Sequence, residues 1–207
     1  KDYVTDLVLT RDDVPWDVVR DVPLFWVTAT GASMEPARST QLSMLEHRGP
    51  VDHAPSAGSG GGRFTVLDLD WRPMFWGSAA AARVEYAELL RYASVAVGNR
   101  TECEVAVGSA DPVEAAGRLL ERGVQLAIVQ KGADGVLVAT ADGMQTVAPR
   151  RVEVVNGLGS GDAFGAALVH GLLSGWPPVR CAEYGNAAGA IVASRLACAD
   201  AMPTIAE

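Results

Sequence analysis

The feature that most constrains this chain is a glycine-rich turn, Asn156-Gly157-Leu158-Gly159-Ser160-Gly161-Asp162-Ala163-Phe164. A β-branched run with valines at 152, 154 and 155 precedes it, and apolar residues at helical spacing (Phe164, Leu168, Leu172) follow. This pattern predicts a strand, a tight turn and a helix. Glycines at alternate positions let the backbone turn sharply and approach a ligand closely.

The amides of Gly159, Ser160 and Gly161 are predicted to lie at the start of that helix, where unpaired N–H groups and the helix dipole favour an anion. Asp162 then falls in the first turn. A carboxylate there can take a proton from an attacking hydroxyl while the amides hold the charge of a transferred phosphate. An aspartate that only stabilises the helix dipole explains the same spacing, so both interpretations stay open. The turn is neither a Walker loop nor a GxGxxG motif.

Composition narrows the class of protein. The 207 residues carry a net charge of −8, which argues against nucleic acid or an anionic membrane as the main partner. Three widely spaced cysteines (Cys103, Cys181, Cys198) favour neither a disulfide framework nor a zinc site. With no apolar run of membrane-spanning length, we expect one cytoplasmic enzyme domain over residues 1–207.

The order of patterns along the chain predicts an α/β fold, with a mostly parallel central sheet and helices on both faces. The predicted strands are Leu24–Thr28, Phe64–Leu69, Ser94–Val97 and Gln125–Gln130, with a hairpin of Gly135–Thr140 and Met144–Ala148. The main predicted helices are Glu35–Arg48, Ser78–Arg91, Asn99–Val107, Pro112–Arg122 and Pro177–Leu196. The stretch from His53 to Arg63, rich in Gly and Ser, is predicted to be a flexible surface loop. In such sheets, ligands bind beyond the carboxyl ends of the strands.

Polar clusters follow two of these strands. Asp68-x-Asp70-x-Arg72 comes directly after one strand, and Arg72 can hold a carboxylate by a bidentate contact. An ion pair within a solvated strand end is the alternative. Asn99 and Glu102 follow the next strand and share a helical face, which suits either a hydrated magnesium ion or a helix cap.

Two further stretches allow a binding or a structural interpretation. Lys131-Gly132-Ala133-Asp134-Gly135 joins two strands, and its glycines suit an ordinary turn. Asn186 lies in a helix of small residues, which permits close approach either of a ligand or of a neighbouring helix.

The stretch from Asn156 to Phe164 resembles the second signature of the ribokinase-like (PfkB) carbohydrate kinases, usually Asp-Thr-x-Gly-Ala-Gly-Asp-Ala-Phe. The resemblance implies a ribokinase-like fold, Asp162 as catalytic base, and an anion hole over Gly159, Ser160, Gly161 and Asp162. Ser160 replaces the common alanine, which leaves the backbone amides unchanged. Asn156 replaces an aspartate that often helps organise a monovalent-cation site, so potassium activation stays an open alternative.

The residues Asp-Leu-Asp-Trp-Arg-Pro-x-x-Trp at 68–76 are similar to a stretch of the 5-dehydro-2-deoxygluconokinases. A related stretch occurs in 2-keto-3-deoxygluconate kinases, where its arginine contacts the sugar acid. The resemblance therefore implies that Arg72, with Asp70, binds the substrate. The residues from Thr28 to Arg38 also resemble the same subgroup, which places Arg38 at the substrate pocket unless it is a surface helix arginine.

The resemblance also assigns the nucleotide side, with ATP and Mg²⁺ as cofactors. It implies that Asn99 and Glu102 form the magnesium and phosphate element, with Glu102 acting on the metal through water. Lys131, Gly132 and Gly135 would border the nucleotide, although the spacing is one residue different from the family's. Asn186 would lie near the adenine.

The family's leading segment normally carries a Gly-Gly-x-x-x-Asn signature, a substrate-binding aspartate and the strands of a lid. This sequence has no such segment, so we expect either a fragment of a longer kinase or missing leading residues, with exposed sheet edges. The resemblance implies phosphoryl transfer from ATP to a small-molecule sugar or sugar acid, foremost 5-dehydro-2-deoxygluconate in inositol catabolism. The alternatives are 2-keto-3-deoxygluconate or another sugar of the family, and a catalytically silent nucleotide- or sugar-binding module. A homodimer is compatible with the sequence, which leaves the oligomeric state open.

Overall fold

A six-stranded sheet in the order β1-β2-β3-β4-β5-β6 forms the centre of the computed structural model, which describes residues 7–50 and 63–207. The strands are β1 (Leu24–Thr28), β2 (Phe64–Asp68), β3 (Val95–Asn99), β4 (Leu126–Gln130), β5 (Val136–Thr140) and β6 (Gly143–Val147). β1 to β4 are parallel, and β5 and β6 extend the sheet as antiparallel strands. Of the loop predicted from His53 to Arg63, residues 53–62 lie outside the described residues.

Helices surround the sheet close to their predicted positions, with ends that differ by at most three residues. They are α1 (Trp16–Asp21), α2 (Ala37–Arg48), α3 (Ala79–Leu90), α4 (Arg100–Val107), α5 (Pro112–Glu121), α6 (Ser160–Leu173) and α7 (Pro178–Ala193). Side-chain caps explain where several of these helices begin. The Ser78 side chain accepts from the Ala81 amide to begin α3, and Asp111 accepts from two amides to begin α5. Each such cap stabilises a helix by about 1 kcal/mol.

Successive strand residues point to opposite faces and so enter two separate cores. On β2, Leu67 joins a core that includes Tyr86 of α3 and Leu119 of α5, whereas Val66 joins a core with Phe164 of α6. The sheet is therefore covered on both faces, as the continuous apolar strands predict. The predicted α/β fold is confirmed.

α6 and α7 pack closely because a glycine meets an aromatic ring. A Cβ on Gly185 of α7 would lie 2.6 Å from the ring of Phe164 on α6, so a larger residue there would push the helices apart. This contact brings α7 beside the start of α6. Among the described residues, no helix has both the length and the apolar character needed to cross a membrane.

The strand predicted immediately before the glycine turn is wrong. Val152, Val154 and Val155 lie outside any strand and are 41%, 69% and 54% exposed. The segment pairs with a helix instead of the sheet, since the amides of Val155 and Asn156 donate to the Ala193 carbonyl at the end of α7. The β-branched residues favour an extended backbone locally, but tertiary packing decides whether that backbone pairs with a strand or with the end of a helix.

Candidate active site

The glycine turn begins α6, as predicted. Gly159 precedes the first helical residue with a φ of 84°, a left-handed conformation that favours glycine. A Cβ at this position would lie 2.6 Å from the Cys198 Sγ, so space also requires glycine. Asp162 lies in the first turn of α6, and it is exposed.

Some amides of the turn already donate hydrogen bonds, and others are open. The Ser160 amide donates to the Gly157 carbonyl at 3.3 Å, and the Ala163 amide donates to the Gly159 carbonyl at 3.0 Å. Within the described part of the chain, the amides of Gly161 and Asp162 have no acceptor. These two N–H groups at a helix N-terminus are the donors most available to an anion.

Asn156 fixes the turn against the end of α7. Its Nδ2 donates to the Leu196 carbonyl at 2.9 Å, and its Oδ1 accepts from the Leu158 amide at 3.1 Å. The amide side chain thus connects the glycine turn to a segment forty residues later in the chain. Sequence reasoning treated Asn156 only as a departure from the family pattern and did not find this connection.

Asp70 and Arg72 form an ion pair beyond the end of β2. The Arg72 Nε lies 2.9 Å from the Asp70 Oδ1, and the Asp70 backbone has a positive φ of 21°. The strand ends at Asp68, so the two aspartates do not continue a strand register as expected; instead the Asp70 amide donates to the Asp68 Oδ1 at 3.2 Å. The Arg72 side chain is 58% exposed, so part of its guanidinium group remains accessible to a ligand.

Four carboxylates converge where β2, β3 and α6 present their ends. Burial raises the pKa of Asp68 to about 7, and the nearby charges of Asp70, Glu102 and Asp162 contribute to that rise. The influence of Asp162 on Asp68 indicates that the start of α6 lies near the end of β2, although about ninety residues of sequence separate them. Asp68 was not among the predicted site residues; its place at the last position of a buried strand was the signal that could have identified it.

Asn99 and Glu102 form a reciprocal helix cap at the start of α4. The Glu102 amide donates to the Asn99 Oδ1 at 3.0 Å, and the Asn99 amide donates to Glu102 Oε2 at 2.7 Å. Burial raises the pKa of Glu102, while the hydrogen bond from the Asn99 amide opposes that shift. The helix cap that the sequence allowed as an alternative to a magnesium site is therefore present. This cap also holds the Glu102 carboxylate in place near the other acids.

The turn from Lys131 to Gly135 joins β4 to β5. The Lys131 amide donates to the Gly135 carbonyl at 2.8 Å, and the Lys131 Nζ reaches Thr146 on β6 at 3.4 Å. Gly135 has a φ of 84°, and a Cβ there would clash with the Val147 carbonyl oxygen, so only glycine fits.

A cleft of about 770 Å³ lies between this turn, the start of α6 and one face of α7. Six of the predicted site residues line it, namely Asn99, Gly132, Gly135, Ser160, Gly161 and Asn186. The Asn186 Nδ2 donates to the Ala148 carbonyl at 2.9 Å. The cleft has the size of a small-molecule site and opens onto the free amides of α6.

The remaining predicted residues lie outside the lining of this cleft. Asp162 directly follows Gly161, and its charge reaches Asp68, as do the charges of Asp70 and Glu102. Arg72 forms its ion pair with Asp70. Arg38 is separate from both groups, since its exposed guanidinium pairs with Glu35 and Glu85 on the surface.

No group of three or more His, Cys, Asp or Glu side chains in the described ranges could hold a metal ion directly. The donors present fit magnesium in the way this ion often binds, through water and the phosphates of a ligand with one or two carboxylates. Glu102, half-buried and held by its helix cap, is the carboxylate that the sequence resemblance assigned to this role.

Comparison with known proteins assigns the chain to a family. Residues 57–205 match the pfkB family carbohydrate kinase. The chain belongs to the pfkB family of carbohydrate kinases. The sequence resemblance is thereby confirmed, and most of the chain, including the glycine turn, lies within the match.

Relatives of this family member include several 5-dehydro-2-deoxygluconokinases. The protein of that name from Geobacillus thermodenitrificans is 29% identical over 212 residues, covering 99% of this chain and 59% of the relative. A Clostridium perfringens protein with the same name is 25% identical over 98% of this chain and 58% of the relative. The chain thus spans about three-fifths of the length of these relatives.

Solved structures confirm the ribokinase-like fold. Fructokinase from Vibrio cholerae O395, with fructose, ADP and calcium bound, has a TM-score of 0.81 at 20% identity and covers 99% of this chain and 64% of its own. A putative ribokinase II from E. coli in complex with ATP and Mg²⁺ has a TM-score of 0.77 at 20% identity, over 94% and 60% of the two chains.

Proposed function

We propose that this chain carries the catalytic and nucleotide-binding part of an ATP-dependent sugar kinase. The observation that supports this most directly is the position of Asp162. It directly follows Gly161, whose amide is open at the cleft, and it lies near enough to Asp68 for its charge to contribute to the raised pKa of that carboxyl group, which neighbours Asp70, the partner of Arg72. One side chain therefore lies between a candidate nucleotide site and a candidate substrate site.

In the proposed reaction, Asp162 accepts the proton of a substrate hydroxyl as that oxygen attacks the γ-phosphorus of ATP. The amides of Gly161 and Asp162, with the turn that positions them, stabilise the charge on the transferring phosphoryl group. Mg²⁺, when bound, supplies further neutralisation of the phosphate oxygens. Glu102 would hold its hydration shell, as the family resemblance implies.

The proposed substrate is a keto-sugar acid, with 5-dehydro-2-deoxygluconate the first to test. Arg72 supports an acid, because its exposed guanidinium group can bind a carboxylate in a bidentate manner while the ion pair with Asp70 holds the side chain. The relatives described above, which are 25–29% identical to this chain, are named for the same substrate. 2-Keto-3-deoxygluconate is the alternative within the family.

A monovalent cation is not part of the proposal. The Asn156 side chain already donates to the Leu196 carbonyl, so a neutral amide connects the turn to the later segment.

The test is ADP release from MgATP by the full-length protein, across a panel of keto-sugar acids and neutral sugars. For the substrate with the highest turnover, we expect Asp162→Asn to lower kcat by roughly 10²–10⁴-fold, because a general base typically contributes that much. ATP affinity should change little, since the variant keeps the backbone amides.

Asp142→Asn, in the exposed hairpin turn, is the matched control and should retain wild-type turnover. Turnover that survives in Asp162→Asn would contradict the assigned base. Silence on every substrate, with ATP still bound, would favour the binding-module alternative.

A further inference from the structure

A nucleotide polyphosphate brings several negative charges into the proposed cleft, and the protein has a net charge of −8. Backbone amides provide partial positive charge, but unpaired phosphates beside acidic side chains are strongly disfavoured without cations. Besides Mg²⁺, positively charged side chains that line the cleft would stabilise these phosphates.

Two adjacent arginines meet that need. Of the described residues that line the cleft, Arg150 and Arg151 are the only ones with positively charged side chains. Arg100 is paired with Asp134 at 3.1 Å, which also offsets the one acidic side chain in the lining. Lys131 reaches toward Thr146 on β6 and does not line the cleft.

The backbone holds the segment that carries these arginines at both ends. At one end, the Asn186 side chain donates to the Ala148 carbonyl at 2.9 Å. At the other, the amides of Val155 and Asn156 donate to the Ala193 carbonyl at 2.8 and 3.1 Å. Residues 149–154 thus run along α7 beside the cleft, with the acidic Glu153 outside its lining.

Both guanidinium groups are available. Arg150 and Arg151 are exposed, and neither has a hydrogen bond or ion pair within the described part of the chain. A ligand therefore does not have to displace an existing carboxylate partner. Other arginines of the described structure are engaged in surface ion pairs, as Arg38, Arg91 and Arg118 illustrate.

We propose that Arg150 and Arg151 bind the phosphate groups of the nucleotide and supply positive charge that no other described side chain in the lining provides. This inference rests on the proposed function, because it takes the cleft to be the nucleotide site. It adds residues that neither the glycine turn nor the family signature identified.

The test is binding of ADP and adenosine to the full-length protein by titration calorimetry, with the double variant Arg150→Gln/Arg151→Gln. We expect ADP affinity to fall roughly tenfold or more, because charge-assisted hydrogen bonds to phosphate are lost. Adenosine affinity should stay within about twofold, since adenosine lacks phosphate. The dependence of ADP affinity on salt should also become shallower.

Arg91→Gln/Arg122→Gln, two exposed arginines away from the cleft, is the control for the equal change in net charge and should bind ADP like wild type. Arg150→Lys/Arg151→Lys should recover part of the lost affinity. Equal ADP binding by wild type and the glutamine variant would overturn the inference, as would a parallel loss of adenosine binding, which would indicate contact with the base. Failure of wild type to bind any nucleotide would instead overturn the proposed function, and this inference with it.

Discussion

At the scale of single residues, Asp68 shows how burial and neighbouring charge change an ordinary side chain. It ends β2 partly buried, and burial followed by the charges of Asp70, Glu102 and Asp162 raises its pKa from 3.8 to about 7. At neutral pH a large fraction of this carboxyl group therefore keeps its proton. A raised pKa among several clustered acids is typical of functional sites, which agrees with a candidate site at this end of the sheet.

The pKa of Asp68 predicts a pH dependence of stability. Because the pKa is higher in the folded protein, the folded state binds more protons between about pH 4 and pH 7, and the free energy of unfolding falls as pH rises through that window. Asp68→Asn removes this dependence and keeps the oxygen that accepts from the Asp70 amide. Above pH 7 we expect the variant to be more stable than wild type by on the order of 1–2 kcal/mol, after allowance for partial solvent exposure.

Urea unfolding from pH 4 to 8.5, without magnesium or nucleotide, measures the effect. The two proteins should converge near pH 4, where the wild-type carboxyl group is neutral. If the free energy of unfolding changed with pH to the same extent in both proteins, the raised pKa of Asp68 would be contradicted.

At the scale of elements, the start of α6 depends on both its own backbone and a later segment. Gly159 needs a positive φ, and the Cys198 side chain fills the space beside it. The open amides of Gly161 and Asp162 therefore lie at a helix start that residues following α7 help to position. A helix N-terminus recognised from sequence acquires its final orientation from this contact.

Substitution of Gly159 separates the need for a positive φ from the need for space beside Cys198. We expect Gly159→Ala to lose roughly 1–2 kcal/mol from the left-handed conformation and a further 1–3 kcal/mol from overpacking against Cys198. Gly123→Ala is the matched control, because Gly123 has a φ of 95° and no atom lies within 4 Å of the position that its Cβ would occupy. Chemical denaturation of both variants measures the difference, and an equal loss would show that the contact with Cys198 contributes nothing.

At the scale of the whole molecule, the cleft joins parts of the chain that are distant in sequence. The turn after β4, the start of α6 and the face of α7 meet there.

Other long-range contacts hold the sheet itself. The buried Arg48 of α2, for example, donates hydrogen bonds to the carbonyls of Val19 and Phe64. Burial lowers the pKa of Arg48 to about 10, and its hydrogen bonds replace those it would make with water.

Since nucleotide would bind across these elements only when they are folded together, MgADP is expected to stabilise the whole described fold. At a concentration of about 100 Kd, the stabilisation is about 2.7 kcal/mol, which corresponds to a rise in Tm of roughly 5–10 °C for a chain of this size. Differential scanning fluorimetry measures the shift, with salt at matched ionic strength as the control. An unchanged Tm at saturating MgADP would contradict nucleotide binding to the folded chain.

Local patterns in the sequence determined the helices, most strands and the glycine turn, because hydrophobic periodicity, caps and turn residues act over a few residues. The turn also carried the family resemblance and placed Asp162 at a helix start. These features could be predicted without knowledge of any distant contact.

Tertiary structure decided the rest. It removed the predicted strand at 152–155 by pairing that segment with the end of α7, and it brought Asp162 within range of Asp68. It also placed Arg150 and Arg151 in the lining of the cleft and paired Arg38 with Glu35 and Glu85. The physical reason is that hydrogen-bond partners, burial and electrostatic neighbours depend on which distant segments pack together, and one sequence with local patterns does not encode that choice in any short window.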